Sequence, residues 1–352
     1  AVYTENGHMY FGGVSNRAND NSRVSPRQTA ANIATLIKKY DKVLIVGHKY
    51  SDYDAIGSAM GLQFFSEANG IPAFVVCDES KTLAGGLVSF ARNEGFEEFV
   101  DVNKAIETCD DKTLLFVVDS HRKTLLECPE LYDKAGAKVV VDHHRRADDY
   151  IDDSDLFYHS PSSSSACEMV AELIEYSTLQ EKVPSVISTA LLSGIVLDTK
   201  DYVLRTSQRT FSAAAFLREN NADTIAVKKL FATNSEMIAL KNEIISSAVT
   251  LGDCVISKTD KSDVNLRVVT AKAADEMLNI SGVKASFVLS YIGKDVVQIS
   301  ARSLGEENVQ LIMELLGGGG HSTMAATQLK DIDLDGAYKK LISAIEKYYS
   351  SK

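Results

Sequence analysis

Apolar positions along this chain fall in two rhythms that take turns. Lys42–Val46 is a short run of β-branched and apolar residues, the length of one buried strand, and Ala55–Ala68 follows with helical spacing. Pro72–Cys77, Thr113–Val118 and Lys138–Val141 read as further strands, and Thr29–Tyr40 as a helix through Ile33, Leu36 and Ile37. Helical runs continue to Ile174, over Pro184–Leu197 and over Arg205–Arg218. Strands alternating with helices predict an α/β fold with a doubly wound, mainly parallel sheet. Near 221–234 the pattern becomes wholly helical, as in a linker. Beyond it the spacing predicts a smaller α/β domain. Its helices are expected over Ser235–Thr250, Asn308–Leu316 and Gly336–Tyr349, and its strands around Cys254–Ser257, Asn265–Thr270, Ala285–Ile292 and Asp295–Ala301. The expected divisions are an N-terminal extension at 1–28, a first domain at 29–220, the linker at 221–234 and a second domain at 235–352.

Polar residues sit where these apolar runs stop. Gly47 ends the first strand, and His48, Asp52 and Asp54 follow in the turn before the next helix. Asp119 ends the Thr113–Val118 strand, Asp142-His143-His144 ends the next, and Asp198 closes an apolar helix. Any one of these could be a cap or a turn residue; Asp54 as a helix cap with Asp52 in the turn is such a reading. Their recurrence at successive element ends points instead to oxygen and nitrogen ligands for hard or borderline divalent cations, gathered at the carboxyl ends of strands, where open α/β sheets bind ligands. Ser160–Ser165 reads S-P-S-S-S-S, either a flexible loop or a rack of hydroxyls and amides at a helix N-terminus suited to phosphate. Ser165 and Glu168 have capping-box spacing. Gly317–Gly320 before His321 exceeds the single glycine a helix C-cap needs.

Composition narrows the partners. A formal charge of −11 over 352 residues makes non-specific binding of duplex nucleic acid unfavourable. Cys77, Cys109, Cys128, Cys167 and Cys254 are scattered, odd in number and never in a C-x-x-C pair, which suits a reducing compartment and argues against both a zinc ribbon and a disulfide framework. No apolar run approaches the ~20 residues of a membrane span, and no signal peptide is evident. The chain opens on Ala1 rather than Met, so it is expected to be a piece of a longer protein.

G-H-K-Y-S-D-Y-D-A-I-G, V-V-D-S-H, V-D-H-H-R and G-I-V-L-D-T-K resemble the ordered motifs of the DHH phosphoesterases, and S-A-R-S-L-G-E-E-N-V followed by G-G-G-G-H resembles the DHHA1 domain that accompanies them. S-S-A-C-E-M-V at 164–170 and Y-F-G-G-x-S-N at 10–16 are similar to the GdpP/YybT type of cyclic-di-AMP phosphodiesterase. The chain departs from that pattern at Tyr50-Ser51, where relatives often have Phe-Pro, and at Cys167, where Ser is usual.

The resemblance implies hydrolysis of cyclic di-AMP to linear pApA by a water that two divalent metals, Mn²⁺ above all, activate. It implies His48, Asp52 and a bridging Asp119 on one metal, and Asp54, His143 and Asp198 with that bridge on the other. Asp142 would orient the neighbouring histidines, and His144 would contact the scissile phosphate or protonate the leaving 3′-oxygen. Ser164 and Ser165 would hold the first phosphate. Arg302, Gly317, Gly318, Gly319, Gly320, His321 and, more weakly, Asn308 would grip the rest of the nucleotide, with the smaller domain closing the cleft. It implies N-terminal membrane helices, a PAS domain and a degenerate GGDEF domain ahead of this region, with residues 1–28 as the tail of the last. The fragment would then be cytoplasmic, the full-length protein at the cytoplasmic face of the cell membrane, and a homodimer is an open option. The rivals are a nano-RNase or pAp phosphatase on the same domains, a family II pyrophosphatase, and a non-catalytic cyclic dinucleotide receptor.

Overall fold

The computed structural model describes residues 2–4, 7–9, 24–261, 266–293 and 296–351. The motif at 10–16 and most of the expected extension lie outside them. The chain divides into two compact units between Phe231 and Ala232.

In the first unit, strands β1 (Val2–Thr4) and β2 (Gly7–Met9) form a small antiparallel pair. Helix α1 (Val24–Ile37) starts ahead of residue 29 and buries Ala30, Ile33 and Ile37. Then come β3 (Lys42–Val46), α2 (Tyr53–Ala68), β4 (Ala73–Val76), α3 (Gly85–Asn93), β5 (Phe99–Val100), α4 (Val102–Thr108) and β6 (Thr113–Val118). They are followed by α5 (Pro129–Lys134), β7 (Ala137–Asp142), β8 (Leu156–His159), α6 (Ala166–Glu175), α7 (Ser185–Thr199), α8 (Gln208–Glu219) and α9 (Thr224–Leu230). The sheet runs β5-β4-β3-β6-β7-β8, with every pairing parallel.

Its central strands β3 and β6 are apolar between their ends because both faces are covered. Val43, Ile45, Leu114, Phe116 and Val118 enter one core, and Leu44, Val46, Leu115 and Val117 the other. Strand order reverses between β3 and β6, which opens a crevice at their carboxyl ends. Helix α2 is buried along nearly its whole length. Gly57 and Gly61 let it approach the next layer: a Cβ on Gly57 would lie 2.5 Å from the Ala190 carbonyl oxygen, and one on Gly61 2.6 Å from Val170 Cγ1.

The second unit holds α10 (Ser235–Ser246), β9 (Val249–Leu251), β10 (Cys254–Thr259), α11 (Leu266–Met277), β11 (Ala285–Gly293) and β12 (Val296–Ser303). It continues with α12 (Val309–Glu314), β13 (Gly319–Gly320), β14 (Met324–Lys330) and α13 (Leu334–Ser350). Its sheet, β13-β14-β12-β11-β10-β9, is mixed, with β10 and β11 parallel. The strand expected over 265–270 is helical instead, from Leu266 on. Leu266, Val269, Thr270, Ala273, Ala274 and Met277 are buried at three- and four-residue spacing, and this face outweighs the β-branched Val-Val-Thr run. The helix expected over 235–250 ends at Ser246, and its last residues form the edge strand β9.

Candidate metal centre

His48 and Asp52 come from the turn between β3 and α2. Ser51 Oγ donates to the His48 carbonyl (2.7 Å) and tightens that turn. Asp52, not Asp54, caps α2: its Oδ1 accepts from the amides of Asp54 (2.9 Å) and Ala55 (3.2 Å). His48 Nδ1 lies 2.8 Å from the Lys49 carbonyl, an atom that can only accept, so the Nδ1 carries the proton and Nε2 is left as the ligand atom. That Nε2 lies 3.5 Å from Asp119 Oδ2 and 3.9 Å from Asp52 Oδ1.

Asp119 follows β6 with a left-handed backbone (φ 54°), an uncommon conformation for a residue other than glycine, and its amide donates to the Val141 carbonyl (3.0 Å). Its Oδ1 faces the other way, 3.3 Å from His143 Nε2. His143 Nε2 is also 3.4 Å from Asp198 Oδ2 and 3.7 Å from Asp54 Oδ2. The structure therefore gathers two groups that could each hold a cation, His48/Asp52/Asp119 and Asp54/His143/Asp198, on the two sides of one Asp119 carboxylate.

This arrangement suits cations. Asp119 Oδ1 and both nitrogens of His143 are buried yet make no hydrogen bond, whereas buried polar atoms are ordinarily satisfied. Burial, then the charges of Asp119 and Asp198, push Asp52 up to about 6, and the same causes with Asp52 added push Asp54 well above the carboxylate range. Burial and Asp119 raise Asp198, which also sits in the last turn of α7, the wrong helix end for an acid. Burial favours a neutral Asp119, but His143 and His48 outweigh it and hold that carboxyl down at about 2. Burial lowers His48, and Asp119 more than reverses this, to about 9. A divalent cation must displace the protons that His48, Asp52 and Asp54 favour, and protons compete better at low pH. The apparent affinity for such a cation is therefore expected to fall from about pH 7.5 to about pH 5.5, by roughly tenfold per pH unit for each proton displaced. Calorimetric titration at the two pH values checks this; a pH-independent affinity would contradict the ligand assignment.

The serine rack has a different job from the one expected. Ser164 and Ser165 are wholly buried. The first amides of α6, at Ala166 and Cys167, donate to Asp54 Oδ2 (2.7 Å) and Oδ1 (2.8 Å), so this helix N-terminus already holds a carboxylate. Ser165 Oγ accepts from the Glu168 amide (3.0 Å). The Glu168 carboxylate reaches past it to Ser164, accepting from Oγ (2.6 Å) and the amide (3.3 Å), so only half of a capping box forms. Cys167 Sγ lies against the Asp54 carbonyl (3.4 Å).

Asp142 is buried beside the centre. One oxygen meets His121 Nδ1; the other accepts from His144 Nδ1 (2.9 Å). Burial would raise its carboxyl, but His121 and His144 dominate and hold it far below the usual range. His144 is half exposed and raised to about 9, its burial outweighed by Asp142. His121 carried no role in the sequence-based reading, although it lies two residues past Asp119. Its Nε2 accepts from the Ala147 amide (3.0 Å), so hydrogen bonds to Asp142 and Ala147 engage both ring nitrogens, while His159 Nε2 turns to the His144 carbonyl. Arg205, also missed, donates to Asp198 Oδ2 (3.2 Å) and the Asp198 carbonyl (3.3 Å). The sequence reading placed it at the head of a helix, but α8 begins only at Gln208 and leaves Arg205 in the turn beside Asp198.

In the second unit, Arg302 and the glycine run reach one end of the sheet, where Arg302 pairs across strands with Met324 and the His321 amide donates to the Met324 carbonyl (2.7 Å). Arg302 is largely buried, with Nε on Asp275 (3.1 Å) and Nη1 on the Ala301 carbonyl (3.0 Å). The glycines divide by cause. Gly317 (φ 75°) serves the end of α12; a Cβ on Gly318 would lie 2.5 Å from Thr327 Cβ, and one on Gly320 2.5 Å from Ala325 Cα; Gly319 has open space. Close packing on β14 and a helix end thus explain three of the four. Asn308 caps α12, its Oδ1 accepting from the Gln310 amide (3.1 Å).

Comparison with known proteins follows this division. The family model for the DHH family, N-terminal domain, matches residues 42–195, and that for the DHHA1 domain matches 253–351. A cyclic-di-AMP phosphodiesterase GdpP of Geobacillus thermodenitrificans is 41% identical over 99% of this chain and 54% of its own length. A cyclic-di-AMP phosphodiesterase PdeA of Listeria monocytogenes is 40% identical over 97% of this chain and 53% of its own. The chain thus spans about half the length of the curated relatives it matches. Among solved structures, an exopolyphosphatase-related protein from Bacteroides fragilis superposes with a TM-score of 0.74 at 19% identity, covering 92% of this chain and 96% of that one. No helix among the described residues is long and apolar enough to cross a membrane.

Proposed function

The chain belongs to the DHH family, with a DHHA1 domain behind the DHH domain, and from that premise we propose that it is a metal-dependent phosphodiesterase that hydrolyses cyclic di-AMP to linear pApA. The observation that carries this is the pair of ligand sets sharing Asp119. His48, Asp52 and Asp119 would hold one divalent cation, and Asp119, Asp54, His143 and Asp198 a second; oxygen and imidazole donors suit Mn²⁺. When bound, such a pair acidifies water and polarises phosphoryl oxygens. The amides of Ala166 and Cys167 fix both oxygens of Asp54, and the Lys49 carbonyl fixes the His48 tautomer. Asp142 holds His144 by Nδ1, which commits its Nε2 to the scissile phosphate or to the proton that the leaving 3′-oxygen requires. His121 keeps Asp142 in that orientation.

In the second unit, Gly319 and His321 are the proposed nucleotide contacts, with Arg302 beside them. Its pairing with Asp275 would have to loosen for Arg302 to take a phosphate directly. The whole protein is proposed to act at the cytoplasmic face of the membrane, anchored by a segment outside this chain.

The experiment mixes the purified chain with Mn²⁺ and cyclic di-AMP and follows the products. Linear pApA is the expected result. Cleavage of pAp, short oligoribonucleotides or pyrophosphate with cyclic di-AMP left intact would move the chain to a related enzyme; tight binding without turnover would make it a receptor.

A further inference from the structure

Tyr50 lies between His48 and Asp52, with a backbone φ of 59° and an exposure of 58%. Bulky residues rarely adopt that conformation, and an observed outlier of this kind is a pointer to function. The turn around it is well held. Ser51 is buried, the Lys49 amide donates to the Leu125 carbonyl (2.7 Å), and the Ser51 carbonyl accepts from the Leu83 amide (2.9 Å) and Thr82 Oγ1 (2.8 Å). The same bonds bring two further exposed apolar residues alongside, Leu83 at 68% and Leu125 at 42%. A strained aromatic residue and two leucines thus stand in water at the rim of a centre otherwise built of carboxylates and imidazoles. Exposure of this kind adds nothing to folding, and grouped apolar surface marks a binding site.

We propose that Tyr50, flanked by Leu83 and Leu125, is the platform on which the nucleobase next to the scissile phosphate stacks. The inference rests on the reading of the substrate as a nucleotide phosphodiester. Its occupant follows from position: Tyr50 is two residues from His48 and two from Asp52, and a nucleobase is one sugar away from the phosphate that the centre would hold. Stacking on an aromatic ring tolerates every base, because every base has a π-face. The platform therefore strengthens binding of purine dinucleotides without choosing between adenine and guanine.

The test compares Tyr50→Gly and Tyr50→Phe with the parent chain. Glycine suits φ 59°, so that variant removes the ring while relieving the backbone. With Mn²⁺ present, Tyr50→Gly is expected to raise KM for both cyclic di-AMP and cyclic di-GMP by roughly tenfold to a hundredfold, with kcat changed far less. Tyr50→Phe should stay within about threefold of the parent, since the ring is kept. A linear dinucleotide carrying 2-aminopurine should lose fluorescence on binding the parent and Tyr50→Phe, but not Tyr50→Gly. A parent-like KM and quench in Tyr50→Gly would overturn the platform while leaving the phosphodiesterase reading intact. A matching loss of Mn²⁺ affinity in Tyr50→Gly would also overturn it, by making the residue a support of the turn. If the parent chain hydrolyses no nucleotide phosphodiester, both readings fall together.

Discussion

Asp119→Ala is expected to lower cation-dependent phosphodiesterase activity by about a hundredfold to a thousandfold, the scale seen when one transition-state-stabilising group is removed from a preorganised site. Among the described residues Asp119 alone stands between the two candidate sets: Asp119 Oδ2 faces His48 and Asp119 Oδ1 faces His143. Its loss takes a ligand from each side and leaves Asp52, Asp54 and Asp198 without the charge pattern that a cation would balance. Asp119→Asn refines the test, because asparagine keeps the shape and accepts the left-handed backbone at φ 54°. Both variants should keep the parent's circular dichroism while calorimetry shows weakened Mn²⁺ binding. Near-normal turnover in either would show that the two sets do not share this carboxylate.

The second large effect is on the frame that aims Asp54. Gly194→Ala should destabilise the chain by roughly 1–3 kcal/mol, the usual range for overpacking a tight core, and weaken cation binding as well. A Cβ at Gly194 would fall on Cys167 Sγ and within 2.9 Å of both Asp54 Cα and Asp54 Oδ1. Neither backbone can retreat cheaply: α2 packs against α7 through Gly57, and Asp54 is pinned by the first amides of α6. Gly85→Ala is the control, since nothing lies within 4 Å of its Cβ position, and a surface change of this kind stays within about 0.5 kcal/mol. Urea denaturation and a Mn²⁺ titration read both effects. A Gly194→Ala chain as stable as the Gly85→Ala chain would show that the helices have room to spare.

Chain-local signals explain which parts of this molecule were legible. Asp119 directly follows an apolar strand, Asp142 ends one and His48 comes one glycine after another, and parallel strands bring their carboxyl ends to one edge. Reading where apolar runs stop was therefore enough to nominate the acidic and imidazole groups of the candidate centre, and strand order did the gathering. The run at 265–270 misled because Val-Val-Thr has strand propensity over a short window, while the helix shows only in the longer spacing from Leu266 to Met277. Short edge elements such as β8 and β9 carried too few residues to show a period.

Sequence alone settled the α/β class, the parallel character of the first sheet and the set of acidic and imidazole groups at its strand ends, because each depends on periodicity or on immediate neighbours. Tertiary structure decided who partners whom. The first amides of α6 look ready for phosphate in the sequence, yet they hold Asp54, 112 positions earlier in the chain. Arg302 looks free, yet α11 supplies Asp275 to it. The glycine run looks like a binding loop, yet Gly318 and Gly320 are required by the passage of β14. A buried donor takes whatever acceptor folding brings within about 3 Å, and that choice is made through space, by strand order and helix packing.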